Sequence, residues 1–148
     1  MVSPRKNGKE SAELAYRMGL LFNRKITSFY WRSFKGELGQ VQAQALSDLY
    51  ENQPARTQEI ADRLGIPKQH ASKILSRLEE TGLVESTADP SDKRSHLYVL
   101  SEKGSSLVQD HIASSNDHFL KMIESVGDGE QQRFNDAMEI MVSFLNKL

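Results

Sequence analysis

Between Pro67 and Gly82 the chain carries many hydrogen-bonding and basic side chains, and acids appear only at the far end, in Glu79 and Glu80. The apolar residues of this segment recur at helical spacing and define the inward side of a helix: Ala71, Ile74, Leu75 and Leu78. The opposite side presents donors and acceptors: Lys68, Gln69, Ser72, Lys73 and Ser76, flanked by His70 and Arg77. Such groups bind base edges and phosphates, so the segment is a candidate nucleic-acid contact.

A second pair of cations, Lys93 and Arg94, lies in the polar stretch 87–95, which is rich in turn-forming residues. Short β-favouring runs at 83–86 and 96–100 flank this stretch, and the pattern predicts a two-stranded hairpin with a long polar tip. A charged hairpin tip is usually only solvated, although cations there suit a narrow minor groove of DNA. The tip is therefore a second candidate contact.

Helices must position both groups of side chains. Apolar residues at three- and four-residue steps predict one long amphipathic helix over 12–34, broken by Gly36 and Gly39. A second stripe over 38–49 stops before Pro54.

A short third helix is expected to begin at the N-cap Thr57 and to end at Gly65. Pro67 then suits the first turn of the polar helix, which Gly82 terminates. Two short helices joined by a tight turn and followed by a hairpin predict a helix-turn-helix with a wing, whose second helix fits the major groove of DNA.

Two further helices complete the chain. Ser101 is expected to cap the fifth, which continues to about Gly127. The last helix carries an apolar stripe close to seven-residue periodicity: Phe134, Ala137, Met138, Met141, Val142, Leu145 and Leu148. A monomer of this size leaves little to cover that stripe, which favours a dimer.

Composition limits the alternatives. The 148 residues have a net charge of −1 and no cysteine, which excludes disulfides, thiolate metal sites and cysteine nucleophiles. No window is apolar enough to span a membrane and no leader pattern is present, so we expect a cytoplasmic protein.

The near-neutral total hides opposed regions. Residues 1–35 hold eight bases and two acids, residues 55–104 hold eight of each, and residues 105–148 hold three bases and seven acids. A basic surface can therefore coexist with a neutral sum.

Other chemistries find little support. No phosphate-binding glycine loop, nucleophile elbow or zinc-helix motif is present, so we do not expect an enzyme or a cofactor. His111 and His118 are seven residues apart on one helix, about 10 Å along its axis, too far to share a metal ion. We expect both to be polar residues of a partly exposed helix, with no metal site.

Three segments together resemble the MarR (multiple-antibiotic-resistance regulator) family: TQEIADRLGI at 57–66, KILSRLEETGLV at 73–84 and DKRSHLYVLSEKG at 92–104. The most specific part is Asp-x-Arg, followed by a strand and then Ser-x-x-Gly. The resemblance extends over roughly residues 10–148. One departure is Gly39, where the family often has a Ser or Thr cap, so the start of the second helix is expected to fray.

The resemblance implies a mainly α fold with a small β-hairpin wing. Residues 38–104 would form the winged helix-turn-helix DNA-binding domain, and residues 10–35 and 105–148 would form N- and C-terminal dimerisation helices. The partners implied are double-stranded DNA with a pseudo-palindromic operator and a second copy of the chain. By position, the DNA-binding residues would be Lys68, Gln69, His70, Ser72, Lys73, Arg77, Lys93 and Arg94. Asp92 matches an acid that pairs with the wing arginine and shapes the wing.

In this family small aromatic ligands bind between the dimer helices and the winged module. Phe29, Tyr30, Trp31 and Phe34 form an aromatic cluster that suits such an effector pocket, although core and dimer packing explain most of it. The resulting hypothesis is a dimeric repressor released from its operator by a small molecule. The alternatives are an activator or effector-independent regulator, or a protein-interaction module using the winged domain.

Overall fold

The computed structural model describes residues 4–32, 34 and 38–148, with side chains from residue 8. A π-helical turn, Asn23–Thr27, separates the first two helices. The elements in chain order are α1 (Pro4–Phe22), α2 (Ser28–Arg32), α3 (Gln40–Asn52), β1 (Ala55–Arg56), α4 (Thr57–Leu64), α5 (Lys68–Glu80), β2 (Val84–Asp89), β3 (Asp92–Leu100), α6 (Glu102–Ile123) and α7 (Asp128–Leu145). The expected fold class, mainly α with a small wing, is confirmed.

The N-terminal segment differs from the single regular helix that its periodicity predicts. It begins at Pro4 and contains a π-helical turn, in which the backbone N–H of Ser28 reaches the carbonyl of Asn23, five residues back. The Ser28 hydroxyl also donates to the Arg24 carbonyl at 3.0 Å, and such side-chain bonds compete with the regular helical ladder. Gly36, the expected helix breaker, lies outside the described residues.

Two helices begin with an unexpected cap. Glycine cannot cap α3 with a side chain, but the Gly39 N–H donates to Gln42 Oε1 at 2.9 Å, and α3 begins directly after Gly39. The N-cap of α4 is Arg56 and not Thr57, because Glu59 Oε2 accepts the Arg56 N–H at 2.7 Å. In both cases a long side chain three residues on supplies half of a capping box.

The predicted ends of α4 and α5 are confirmed, since Gly65 and Gly82 have positive φ values of 64° and 72°. Helices α3, α4 and α5 pack with the sheet around an apolar core. Its fully buried large side chains are Leu46, Leu49, Ile60, Leu75, Leu78, Val84 and Val108.

The sheet has three antiparallel strands in the order β1-β3-β2, one strand more than the predicted hairpin. The strands are also longer than expected: β2 pairs with β3 from Val84 opposite Leu100 to Asp89 opposite Asp92. The prediction of a long polar tip is therefore wrong, because only Pro90 and Ser91 form the turn. Polar residues here form both the strands and the turn. Counting the residue types that favour turns does not distinguish the two.

The chain divides into two compact units, Met1–Ile112 and Ala113–Leu148. In the second unit the rings of Phe119 and Phe134 pack at a centroid distance of 5.6 Å. Helix α7 nevertheless leaves large apolar side chains exposed, among them Ile140 at 71% and Phe144 at 56%. No helix among the described residues is long and apolar enough to cross a membrane.

Candidate nucleic-acid interface

Helix α5 presents one polar face to solvent. Its apolar side is buried in the core, and every candidate side chain on the other side is exposed: Lys68, Gln69, His70, Ser72, Lys73 and Arg77. The helical period thus brings these six residues onto one continuous surface. Its N-terminal end is basic and polar, as a major-groove contact requires.

The turn between α4 and α5 is closed by backbone hydrogen bonds. The left-handed Gly65 lets the N–H of Ile66 reach the Ala61 carbonyl at 3.0 Å, which closes α4. Helix α4 is held to α3 by Arg63, whose guanidinium binds both carboxylate oxygens of Asp48 at 2.7 and 2.8 Å. This fork fixes α4 against the element that precedes it.

The two acids at the C-terminal end of α5 already have partners. Glu79 accepts the Ser86 hydroxyl at 2.6 Å, and Glu80 pairs with Arg77 at 3.2 Å. Arg77 and Glu80 are both exposed, and such a pair contributes only about 0–1 kcal/mol, so Arg77 can exchange Glu80 for a phosphate.

Four exposed basic side chains on α5 and the wing have no acidic partner. Within residues 38–148, which the structure describes without a gap, no ion pair involves Lys68, Lys73, Lys93 or Arg94. Residues 55–104 hold equal numbers of acids and bases, but these four cations lie on α5 and on the wing.

The wing presents Lys93 and Arg94 on the first part of β3, both exposed. Asp92 acts on the wing through the backbone, since its Oδ1 accepts the Arg94 N–H at 3.0 Å. The expected pairing of this acid with the arginine is thus a contact to the main chain of Arg94. The Arg94 side chain is exposed, and no ion pair joins it to the Asp92 carboxylate.

Sequence reasoning missed the residues that anchor the wing turn. Arg56 Nε lies 2.5 Å from Asp89 Oδ2, and Arg56 Nη2 donates to Ser91 Oγ at 2.9 Å. The hydrogen bond from Arg56, followed by those from Ser91, holds the pKa of Asp89 well below its usual range. The available signal was an arginine at a helix N-cap, where Ser, Thr, Asp or Asn is usual.

The base of the wing explains the Ser-x-x-Gly pattern at 101–104. Ser101 Oγ accepts the Gly104 N–H at 3.0 Å and donates to the Gly82 carbonyl at 2.7 Å, which confirms it as the cap of α6. Gly104 faces the Leu83 carbonyl so closely that a Cβ would lie 2.0 Å from that oxygen. This spacing locks α6 onto the start of β2.

Two aromatic residues of the proposed effector pocket contact a histidine. Phe34 is buried and stacks on His111 at a centroid distance of 3.8 Å, while the Tyr30 ring meets His111 edge-on at 6.5 Å. Phe29 and Trp31 are half-buried, and Trp31 packs against the core.

His111 lies on the buried side of its partly exposed helix and is only 8% exposed. Burial lowers the pKa of its imidazole. His118 is exposed. No group of three or more His, Asp or Glu side chains among the described residues is arranged to hold a metal ion.

Comparison with known proteins agrees with this geometry. Residues 38–96, from the residues before α3 to the middle of β3, match the MarR family. A search among curated proteins found no significant match.

Solved structures share the fold over nearly the whole chain. A MarR transcriptional regulator from Methanosarcina mazei is 24% identical, with a TM-score of 0.60 and coverage of 97% of this chain and 98% of that one. A transcriptional regulator from Thermotoga maritima is 19% identical, with a TM-score of 0.61 and coverage of 97% and 96%. MepR, which regulates the multidrug efflux pump MepA of Staphylococcus aureus, is 18% identical, with a TM-score of 0.63 and coverage of 93% and 97%.

The matched residues contain α3, the complete helix-turn-helix and most of the wing, including every exposed cation described above. Through these residues the chain is similar to the MarR family, and its fold is shared with solved transcriptional regulators.

Proposed function

We propose that the chain acts as a homodimeric repressor that binds a pseudo-palindromic operator and leaves it when a small molecule binds. The observation that supports this most strongly is the set of unpaired, exposed cations on α5 and the wing, Lys68, Lys73, Lys93 and Arg94. A dimer that covers two adjacent half-sites excludes other proteins from that DNA, which is why we propose repression.

In the proposed complex α5 enters the major groove. Its N-terminal residues Lys68, Gln69 and His70 face base edges, with Ser72 and Lys73 one turn further along. Arg77 binds the phosphate backbone in place of Glu80, and the wing brings Lys93 and Arg94 to the neighbouring minor groove.

Dimerisation is proposed because the terminal helices expose apolar side chains that each unit leaves uncovered. On α1 these include Leu14 at 58% and Leu20 at 57% exposure, and on α7 Ile140 and Phe144. Opposite net charges of the two terminal regions favour their association between copies. Two modules held one helical turn of DNA apart, about 34–36 Å, would then match a two-fold operator.

An effector acts only if it prefers the dimer geometry that cannot dock both modules. We place its site at Phe29, Tyr30, Trp31 and Phe34, where three half-buried rings lie near the buried ring of Phe34, which stacks on the buried His111. This surface suits a small aromatic ligand. The test is Trp31 fluorescence titrated with a panel of aromatic acids, and an unchanged signal across the panel argues against the site.

The DNA contacts are tested with Lys73→Ala and Arg94→Ala. The probe is a duplex selected with the parent protein from a random library of about 30 base pairs. Each variant should lose about 1–3 kcal/mol of binding free energy, or roughly five- to 150-fold in Kd, in a fluorescence-anisotropy titration.

The matched control is Lys103→Ala. Lys103 is also an exposed lysine, but it lies in the first turn of α6, after the end of β3 that is far from the wing turn. It donates to the Thr81 carbonyl. We expect its variant to bind DNA like the parent. If Lys73→Ala and Arg94→Ala both bind as well as the parent, the proposed contacts are wrong.

A further inference from the structure

Arg56, Asp89 and Ser91 form a closed set of contacts that we name the wing clamp. The Arg56 guanidinium reaches Asp89 through Nε at 2.5 Å and Ser91 through Nη2 at 2.9 Å. Ser91 in turn donates to Asp89 Oδ1 twice, from its backbone N–H at 2.9 Å and from its hydroxyl at 2.8 Å. The clamp thus joins the wing turn to a residue 33 positions earlier in the chain.

The backbone of Arg56 is itself fixed from two sides. Its N–H donates to Glu59 Oε2 at the start of α4, and it pairs with Leu97 of β3 in the sheet. Arg56 therefore belongs both to the first turn of the helix-turn-helix and to the sheet. Through the clamp, the fixed position of Arg56 also holds the turn at the end of the wing.

Without the clamp the wing would be weakly held beyond β1. Strand β1 pairs only with Leu97 and Tyr98, so the outer part of β3 pairs with β2 alone, through His96 opposite Ala88 and Asp92 opposite Asp89. Between these two pairs the register is irregular, and residues 93–95 have no paired residue on β2. A two-stranded ribbon twists more freely than a wider sheet and is only marginally stable by itself. Lys93 and Arg94 lie on this ribbon.

The burial of the Asp89 carboxylate explains why it needs the Arg56 guanidinium. The Asp89 side chain is 2% exposed, whereas the Arg56 side chain is 42% exposed. A buried carboxylate needs a cation and hydrogen bonds, and the clamp supplies one cation and three hydrogen bonds. Loss of Arg56 would leave a buried charge at the wing turn and drive the turn to open toward water.

We propose that the wing clamp sets the position of Lys93 and Arg94, which makes Arg56 and Asp89 positioning residues for DNA binding. The path runs from Arg56 through Asp89 and the turn to Asp92, which holds the Arg94 backbone. The inference rests on the proposed contact between the wing and DNA. Its rival is a direct phosphate contact by the exposed part of Arg56.

The two explanations differ in whether the wing cations are needed. Arg56→Gln is placed in the parent and in the Lys93→Ala/Arg94→Ala background, and the Kd for the library-selected duplex is measured by anisotropy. We expect a loss of about tenfold in the parent and less than twofold in the background. An equal loss in both backgrounds overturns the clamp and leaves the wing contact intact. A Lys93→Ala/Arg94→Ala protein that binds like the parent overturns the wing contact, and the clamp proposal with it.

Arg56→Lys adds a second distinction. Lysine keeps the charge that a phosphate contact needs, but it lacks the planar fork that reaches Asp89 and Ser91 together. We expect Arg56→Lys to bind as weakly as Arg56→Gln, and full rescue by lysine contradicts the clamp. The matched control Arg133→Gln removes an arginine from an exposed pair on α7 and should leave the Kd unchanged.

A measurement without DNA tests the geometry directly. In the parent the Ser91 amide hydrogen should exchange slowly with solvent, and in Arg56→Gln it should exchange rapidly while the amides of α5 keep their protection. If Arg56→Gln does not fold, Ser91→Ala serves instead, since it removes contacts of an exposed residue. It should weaken binding about threefold in the parent only, and parent-like binding contradicts the clamp.

Discussion

Gly104→Ala tests how closely α6 must approach the base of the wing. Gly104 lies in the first turn of α6 and is buried. A Cβ at this position would lie 2.0 Å from the Leu83 carbonyl oxygen and 3.0 Å from its carbon. Normal contact distances are about 3.5 Å, so the two backbones would have to separate by roughly 1.5 Å.

The surrounding hydrogen bonds oppose that separation. The Leu83 oxygen accepts the Ser101 N–H at 3.1 Å, and Ser101 Oγ bridges Gly104 and Gly82. Overpacking costs about 1–3 kcal/mol, and one weakened hydrogen bond adds about 1 kcal/mol. The helix preference of alanine over glycine offsets about 1 kcal/mol, which leaves a net destabilisation of about 2 kcal/mol.

The measurement is thermal unfolding followed by circular dichroism. We expect Gly104→Ala to lower the Tm by about 4–8 °C. The control is Gly8→Ala, which also adds a methyl group inside a helix but meets no atom within 4 Å. Its Tm should equal or exceed that of the parent. A Gly104→Ala protein that melts at the parent temperature would refute the steric reasoning.

Three further predictions concern the dimer, the buried histidine and the DNA contacts. Ile140→Glu should convert a dimer to a monomer in light-scattering measurements at micromolar concentration, because it places a charge on the exposed apolar face of α7. The control Glu139→Gln should stay dimeric. A dimeric Ile140→Glu protein would exclude this face from the interface. Since burial lowers the pKa of His111 in the folded state, the unfolded chain takes up the proton first as the pH falls below about 6.5, and the free energy of unfolding should decrease with falling pH. His111→Gln should remove that part of the slope in denaturant titrations, His118→Gln should not, and an unchanged slope in His111→Gln would assign the pH dependence to other groups. Lys73→Ala should also lower the slope of log Kd against log salt concentration by about one, and an unaltered slope would mean that Lys73 contacts no phosphate.

The helix-turn-helix was predictable because its signals are local. The apolar positions of α5, from Ala71 to Leu78, follow the helical period, and Gly65 and Gly82 adopt the left-handed conformations expected at the ends of α4 and α5. Ser101 also caps α6 as predicted. In each case the information lies within about four residues, the range of a helical hydrogen bond.

Predictions failed where one short segment allows two structures. The polar residues 87–95 indicated a loop, but Thr87 and Ala88 continue the β2–β3 ladder, and Asp89 pairs with Asp92 across a two-residue turn. Thr57 is a good capping residue by type, yet Arg56 takes the N-cap because the Glu59 side chain reaches its N–H. Pairing with β3 decides the first case, and a side chain three residues further along the chain decides the second.

The sequence by itself determined the α4–α5 unit, the exposed polar face of α5 and the presence of a wing with two cations, because periodicity and glycine conformations act over a few residues. Only the tertiary structure decided that Arg56 holds Asp89 across 33 positions, that His111 lies buried against Phe34, and that Gly104 touches the Leu83 carbonyl. Contacts of this kind depend on how whole elements pack, and no periodic pattern in the chain encodes which distant residues will meet.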